Sequence, residues 1–150
     1  MKKRIALAGL GWLFSLAAYA THIVGGEIEL QHIQNNQYRL RLIQYFDNFY
    51  GEIGAEDDAI TVTIFAKATG AAINSYILPK TEVTFVPYTN QDCAIGELST
   101  KRIIYEAQVT LNVAQFSDPE GYYVIWERCC RNRVINNIVL PSETGQTFFM

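Results

Sequence analysis

Three groups of residues in this chain have the type and spacing to do chemistry. Cys129 and Cys130 are adjacent, with Cys93 well upstream; Arg128, Arg131 and Arg133 surround the doublet, with Asn132 among them; and Asp47 is followed by the acids Glu52, Glu56, Asp57 and Asp58. Each group points to a different chemistry. Thiols in an oxidising compartment pair as disulfides, guanidinium forks hold planar anions, and clustered carboxylates hold hard cations such as Ca²⁺.

The thiols are constrained by strand geometry. In an extended strand successive side chains point to opposite faces, so Cys129 and Cys130 cannot both look into one core. Nor do they suit each other: neighbouring Cα atoms lie about 3.8 Å apart, and a disulfide wants roughly 4.4–6.8 Å. Cys93 is the natural partner of one of them. Tyr122, Val124 and Trp126 share a face that, continued, turns Cys130 inward and favours Cys93–Cys130, but Arg128 on that face keeps Cys129 open as the alternative. A bridge closing a loop of about 36 residues stabilises by roughly 4 kcal/mol on the chain-entropy view. The third thiol is then buried, or pairs with another chain or with sequence outside this one.

The other groups have a structural reading beside the chemical one. Arg128, Arg131, Arg133 and Asn132 can meet an anion or a partner, or the arginines can pair with Glu106 or Glu127 on a neighbouring strand. Asp47, Glu56, Asp57 and Asp58 can gather around Ca²⁺, but their spacing matches no calcium loop, and a solvated loop is the simpler expectation. Tyr45, Phe46, Phe49 and Tyr50 offer a stacking platform for sugar rings or a partner chain, or belong to a core. A zinc site is not expected, because the thiols lack ligand spacing and export would oxidise them. No nucleophile stands in a motif that would activate it, so neither an enzyme nor a cofactor is expected.

The elements that must position these residues read as strands almost throughout. Gly26 to Ile33 and Tyr38 to Asp47 flank the turn Gln34-Asn-Asn-Gln37, with Leu40, Leu42 and Phe46 facing the core. Ile60 to Ile64 alternates before Ala68-Thr-Gly70 interrupts it, and Ile73 to Leu78 and Val83 to Val86 read as two short strands ended by Pro79 and Pro87. Lys101 to Val113 is the cleanest strand, with Ile103, Tyr105, Ala107, Val109, Leu111 and Val113 on one side. Its expected partner is Tyr122 to Cys130, reached through the turn Asp118-Pro-Glu-Gly121. About seven short strands without βαβ alternation predict an all-β fold, an immunoglobulin-like two-sheet β-sandwich, with a jelly roll or small barrel as the alternative. Thr147-Phe-Phe-Met150 reads as a strand cut in mid-course, which predicts a domain truncated at its C-terminal end.

Residues 1–20 read as a signal peptide: Met1-Lys-Lys-Arg4 is a positive start, Ile5 to Leu16 is apolar, and Ala18-Tyr-Ala20 has the pattern of a cleavage site. The apolar run is short for a membrane anchor, which needs about 20 residues. Residues 21–150 then form a single domain, secreted or at the cell surface, with no later transmembrane span. Loss of three basic residues from 12, against 15 acids, leaves a net charge of about −6, which argues against nucleic acid.

Several of these segments carry a resemblance. Thr21-His-Ile-Val-Gly-Gly-Glu27, Tyr45-Phe-Asp47, Ile64-Phe-Ala-Lys67 and above all Gly121-Tyr-Tyr-Val-Ile-Trp-Glu-Arg-Cys-Cys-Arg-Asn132, followed by Ile135-Asn-Asn-Ile138 and Pro141, resemble the N-terminal domain of large secreted Bacteroidota surface proteins. These are the gliding-motility-associated, type IX secretion sorting-domain proteins. The resemblance spans essentially the whole of residues 21–150. It implies a structural or adhesive role at the cell surface, with other domains of a longer surface protein, neighbouring envelope proteins or a glycan as partners. Many relatives have a cysteine where this chain has Asn48, which leaves a second disulfide without its thiol. A competing likeness fails: Ile23-Val-Gly-Gly26 resembles the activated start of trypsin-like serine proteases, but the only histidines are His22 and His32 and no serine stands in a nucleophile motif. The expectation is a non-catalytic contact module, with a glycan- or Ca²⁺-binding module as the alternative.

Overall fold

The computed structural model describes residues 23–51, 54, 56–90, 99–129, 136, 137, 139, 140 and 145–149, with Cys129 and 145–149 described as backbone. These residues form seven strands and no helix: β1 (Ile23–Gln34), β2 (Gln37–Asp47), β3 (Ala59–Ala66), β4 (Ala72–Phe85), β5 (Thr100–Thr110), β6 (Tyr122–Cys129) and β7 (Gly145–Phe149). The strands lie in the order β1-β2-β5-β4-β3-β6-β7, every neighbouring pair antiparallel.

Period-two alternation makes the strands. Along β2, Leu40, Leu42 and Phe46 are buried as expected, with Gln44 buried among them, while Arg39, Arg41 and Tyr45 are half-buried on the other face. The β1–β2 turn holds Asn35 at φ 49°, a left-handed conformation that asparagine tolerates. His32 Nε2–H donates to the Asn35 carbonyl at 2.8 Å and fixes that end of the hairpin.

Strand β4 makes the sheet curl. Its first part, Ala72–Pro79, pairs with β3, and its second, Lys80–Phe85, pairs with β5, with a register shift between Lys80 and Glu82. The segments expected as two strands are therefore one. Proline lacks an N–H, and Pro79 stands at the changeover where the strand leaves one neighbour for the other. The two halves joined there close over one core. Ile28, Leu40, Leu42, Phe46, Ile103, Tyr105 and Val109 from one half meet Ile60, Val62, Ile64, Leu78, Val124 and Trp126 from the other. The outermost strands, β1 and β7, approach within 8 Å between Cα atoms, and no ladder joins them among the described residues.

The expected β5–β6 pairing is not observed. β5 pairs with β2 and β4, whereas β6 pairs with β3 and β7. Strand β5 stops at Thr110 because a tight turn follows: Asn112 accepts the N–H groups of Gln115 and Phe116 at its carbonyl and that of Ala114 at Oδ1. The chain then crosses to the other half, where Asp118 Oδ1 accepts the Glu120 N–H and Gly121 takes φ 84°. The Asp118–Gly121 turn exists, but it completes a crossing instead of a hairpin. Val113, expected inside, is 64% exposed.

All strands run between two poles. One carries the β1–β2, β3–β4 and β5–β6 connections; the other carries β2–β3, β4–β5 and β6–β7. Among the described residues no helix is long and apolar enough to cross a membrane.

Candidate functional site at the loop-bearing pole

The pole with the β2–β3, β4–β5 and β6–β7 connections brings together Asp47, Glu56, Asp57, Asp58 and Arg128, described residues among those that the sequence singles out. Its first element is a turn built by Asp47, whose Oδ1 accepts the N–H groups of Phe49 at 3.0 Å and Tyr50 at 3.1 Å. The chain then folds back over the Phe46 ring through Gly51. A Cβ there would lie 2.1 Å from the Asp47 carbonyl oxygen and 2.4 Å from the ring, so only glycine fits. Asn48 joins this turn to the start of β5, its N–H donating to the Ser99 carbonyl at 2.8 Å.

Three consecutive acids follow, and each meets a different cation. Glu56 pairs with Lys101, whose ammonium also lies 5.9 Å from the centre of the Phe46 ring. Asp57 pairs with Arg128 at 3.3 Å, and Asp58 with Lys80 at 3.1 Å. The backbone is held as firmly as the side chains. The Tyr105 hydroxyl donates to the Asp57 carbonyl at 3.0 Å, and the Lys80 N–H to the Asp58 carbonyl at 2.8 Å. Lys80 is on β4, Lys101 and Tyr105 are on β5 and Arg128 is on β6, so the connection is clamped to both halves of the sheet. Burial, reinforced by the charges of Asp57 and Glu56, holds the Tyr105 phenol far above its ordinary range and therefore protonated; Arg128 opposes this weakly.

This geometry revises the sequence-based expectations residue by residue. Arg128 meets Asp57 instead of Glu106 or Glu127, because Glu106 faces Arg41, which donates from Nε at 2.8 Å and Nη2 at 2.6 Å. Asp47, Glu56, Asp57 and Asp58 are separated onto different partners, and no group of three metal-ligating side chains occurs among the described residues. Phe46 is buried and cannot serve as a platform, and Tyr45 is half-buried with its hydroxyl 3.4 Å from Glu27. Phe49 and Tyr50 are exposed and meet edge to face at 5.1 Å. Cys93, Cys130, Arg131, Asn132 and Arg133 lie outside the described residues, and the Cys129 backbone ends β6 at this pole. The disulfide and the remaining arginine contacts therefore carry over as expectations.

A second feature has no signal in the sequence. At the opposite pole an apolar cavity of about 330 Å³ lies between the two halves, lined by Leu30, Tyr38, Ile64, Phe116, Tyr122 and Val124 among others. Alternation turns Tyr38, Ile64 and Val124 inward, but the gap depends on how far the halves stand apart, which no local pattern encodes. Compared with known protein families, curated proteins and solved structures, the chain matches none.

Proposed function

We propose that this chain is a non-catalytic, exported β-sandwich module of immunoglobulin-like character that serves as a structural or adhesive part of the cell surface. The observation that carries this reading is the use made of the polar residues at the loop-bearing pole. Asp47, Glu56, Asp57, Asp58 and Arg128 all bond within the chain, where they hold a connection against the sheet. Residues committed to such contacts build a rigid end, which suits a module that presents surface to neighbours. The leader-like pattern of residues 1–20, the acidic balance and the resemblance to Bacteroidota surface proteins support the same reading, which expects Cys93 to be bridged to Cys129 or Cys130. Its partners are then other domains of a longer surface protein or neighbouring envelope proteins.

The test is export and exposure together. In a secreting Bacteroidota host, intact cells treated with a non-penetrating protease should lose the protein, and thiol mapping of the recovered chain should find Cys93 bridged to the doublet. Retention in the cytoplasm with all three thiols reduced would overturn the reading.

One observation favours a second reading, a glycan-binding module: the exposed edge-to-face pair of Phe49 and Tyr50, which can stack on sugar rings. An oligosaccharide array probed with the wild-type chain and with a Phe49→Ala/Tyr50→Ala variant decides it. Binding that vanishes in the variant supports this reading, and an array without signal removes it.

A further inference from the structure

Past Lys80, strand β4 has a described neighbour on one side only. Its ladder with β3 ends at the pair Ala59–Pro79 and one further bond, from the Lys80 N–H to the Asp58 carbonyl at 2.8 Å. Before Asp58 the connection turns inward instead of running on beside β4, because Asp57 is drawn to Arg128 and Glu56 to Lys101. On the other side Glu82–Phe85 pairs with β5, and the bond from the Val86 N–H to the Thr100 carbonyl at 2.9 Å sets the phase of that ladder. Antiparallel pairs exchange bonds alternately, so Glu82, Thr84 and Val86 bond to β5 while Val83 and Phe85 turn their N–H and C=O groups away from it. Those groups meet no described residue. The opening lies in mid-chain, within the continuous described run 56–90, and owes nothing to either end of the sequence.

The side chains along this edge are apolar. Val83 stands opposite Ile103 and shares with Phe85 the core-facing side of the sheet, yet the two are 43% and 60% exposed because β3 no longer lies beside them. On the outward side Glu82 is held by Arg102 at 3.4 Å. Sheet edges are commonly guarded by a lysine, a proline, a bulge or an inward-pointing charge. From Glu82 to Val86 none of these occurs, since the bulge between Lys80 and Glu82 precedes the stretch and Pro87 follows it.

We propose that this edge pairs with the same edge of a second copy of the chain, antiparallel about a two-fold axis at Thr84. In that register Val83 of each copy exchanges its main-chain bonds with Phe85 of the other, so every group left open on both strands is satisfied. On the core-facing side the two valines and two phenylalanines form one apolar strip. On the outward side Thr84 meets Thr84, and each Glu82, already neutralised by Arg102, stands opposite Val86 instead of another carboxylate. The strand is thus its own complement in main chain, side chains and charge, as a two-fold contact requires, and this selects a second copy over a strand of unrelated sequence. The contact is small, so the dimer is weak and dissociates on dilution. The inference goes beyond the contact reading above and does not rest on it.

Sedimentation velocity of the full chain recovered from the secreting host, from micromolar to sub-millimolar concentration, should show a monomer giving way to a dimer. Over the same range amide exchange at Val83 and Phe85 should slow, while Glu82 and Thr84 stay protected throughout. Val83→Lys and Phe85→Lys, both at exposed positions, should each weaken the dimer at least ten-fold. Thr84→Cys should cross-link two copies under mild oxidation, because facing residues that exchange no bonds bring their Cα atoms to about 4.5 Å, within disulfide reach. Thr61→Cys, exposed on β3, should cross-link no more than wild type. A monomer at every concentration, which would leave the edge to another domain or a different protein, would overturn the proposal. So would a dimer indifferent to both lysine variants, or exchange at Val83 and Phe85 that does not respond to concentration; this last comparison needs no altered protein and decides the matter if a variant misfolds. Such a failure leaves the export reading standing, since that is tested on intact cells.

Discussion

Replacing Lys101 by methionine tests whether the acidic connection is a clamp. Lys101 and Glu56 form an ion pair with side chains only 18% and 12% exposed, and the Lys101 ammonium lies near the Phe46 ring. An exposed pair contributes up to about 1 kcal/mol, whereas deleting one partner of a buried pair costs roughly 3–5 kcal/mol because a charge is left without its counter-ion. Exposure below one fifth places this pair toward the buried limit, and methionine keeps most of the stem volume. Lys101→Met should therefore cost about 2–3 kcal/mol at neutral pH, which is a fall of roughly 8 °C in Tm for a domain of this size. Glu56→Gln should cost less, about 1 kcal/mol, because the ammonium it leaves behind keeps the Phe46 ring and can reach toward water. The double variant should be less destabilised than the sum of the two, with a coupling of about 1–2 kcal/mol. Urea unfolding followed through the fluorescence of the buried Trp126 gives these values as shifts in midpoint at constant slope, and the coupling should change little with salt. If Lys101→Met costs less than about 0.5 kcal/mol and adds to Glu56→Gln without coupling, the connection is not held by this pair, and the structural reading of the acidic run is wrong.

Three further outcomes follow from the same geometry. Gly51→Ala forces a methyl group against the Asp47 carbonyl and the Phe46 ring, and should lower stability by about 2 kcal/mol or more in thermal unfolding. Tyr105→Phe removes the hydrogen bond to the Asp57 carbonyl and should cost about 1–2 kcal/mol in urea unfolding at pH 7. Because the Tyr105 pKa is raised on folding, its contribution is complete below the unfolded value of about 10 and is lost as pH rises above that; wild-type stability should therefore fall more steeply from pH 9.5 to 11 than that of Tyr105→Phe. Asn35→Val places a β-branched residue at φ 49° and should cost about 1 kcal/mol, whereas Asn35→Gly should be neutral within a few tenths, both read from thermal midpoints.

Local pattern carried the strands, and distance in sequence hid their partners. The alternation through Leu40, Leu42 and Phe46, through Val62 and Ile64, and through Ile103 and Tyr105 identified core residues because a half-buried strand imposes a period of two whatever it pairs with. Pairing is another matter. β5 and β6 are neighbours in sequence and were expected to be neighbours in space, but the Asn112 turn sends the chain across the core, and nothing in its composition distinguishes a crossing from a long hairpin loop. Pro79 read as a strand end because its missing N–H breaks a ladder; a strand that changes neighbours at that residue escapes the rule. The acids at 56–58 read as a solvated loop or a Ca²⁺ site and Arg128 as an anion or partner contact, because the contact between Asp57 and Arg128 spans the whole of β3, β4 and β5 and cannot be read from spacing. The cavity was invisible for the same reason, since it belongs to the separation of the halves and not to any one segment.

The passage of β4 through both halves has a mechanical consequence. A pull applied across β1 and β7 meets no ladder between them among the described residues, so the sheet opens there first, turning about the crease at Pro79, and the core is wetted along that seam while every hydrogen-bonded pair described stays intact. Complete separation demands far more, because one of the two ladders of β4 must then be torn. The molecule thus gives easily at one margin and resists at its spine, and whatever bridges the margin stiffens the whole.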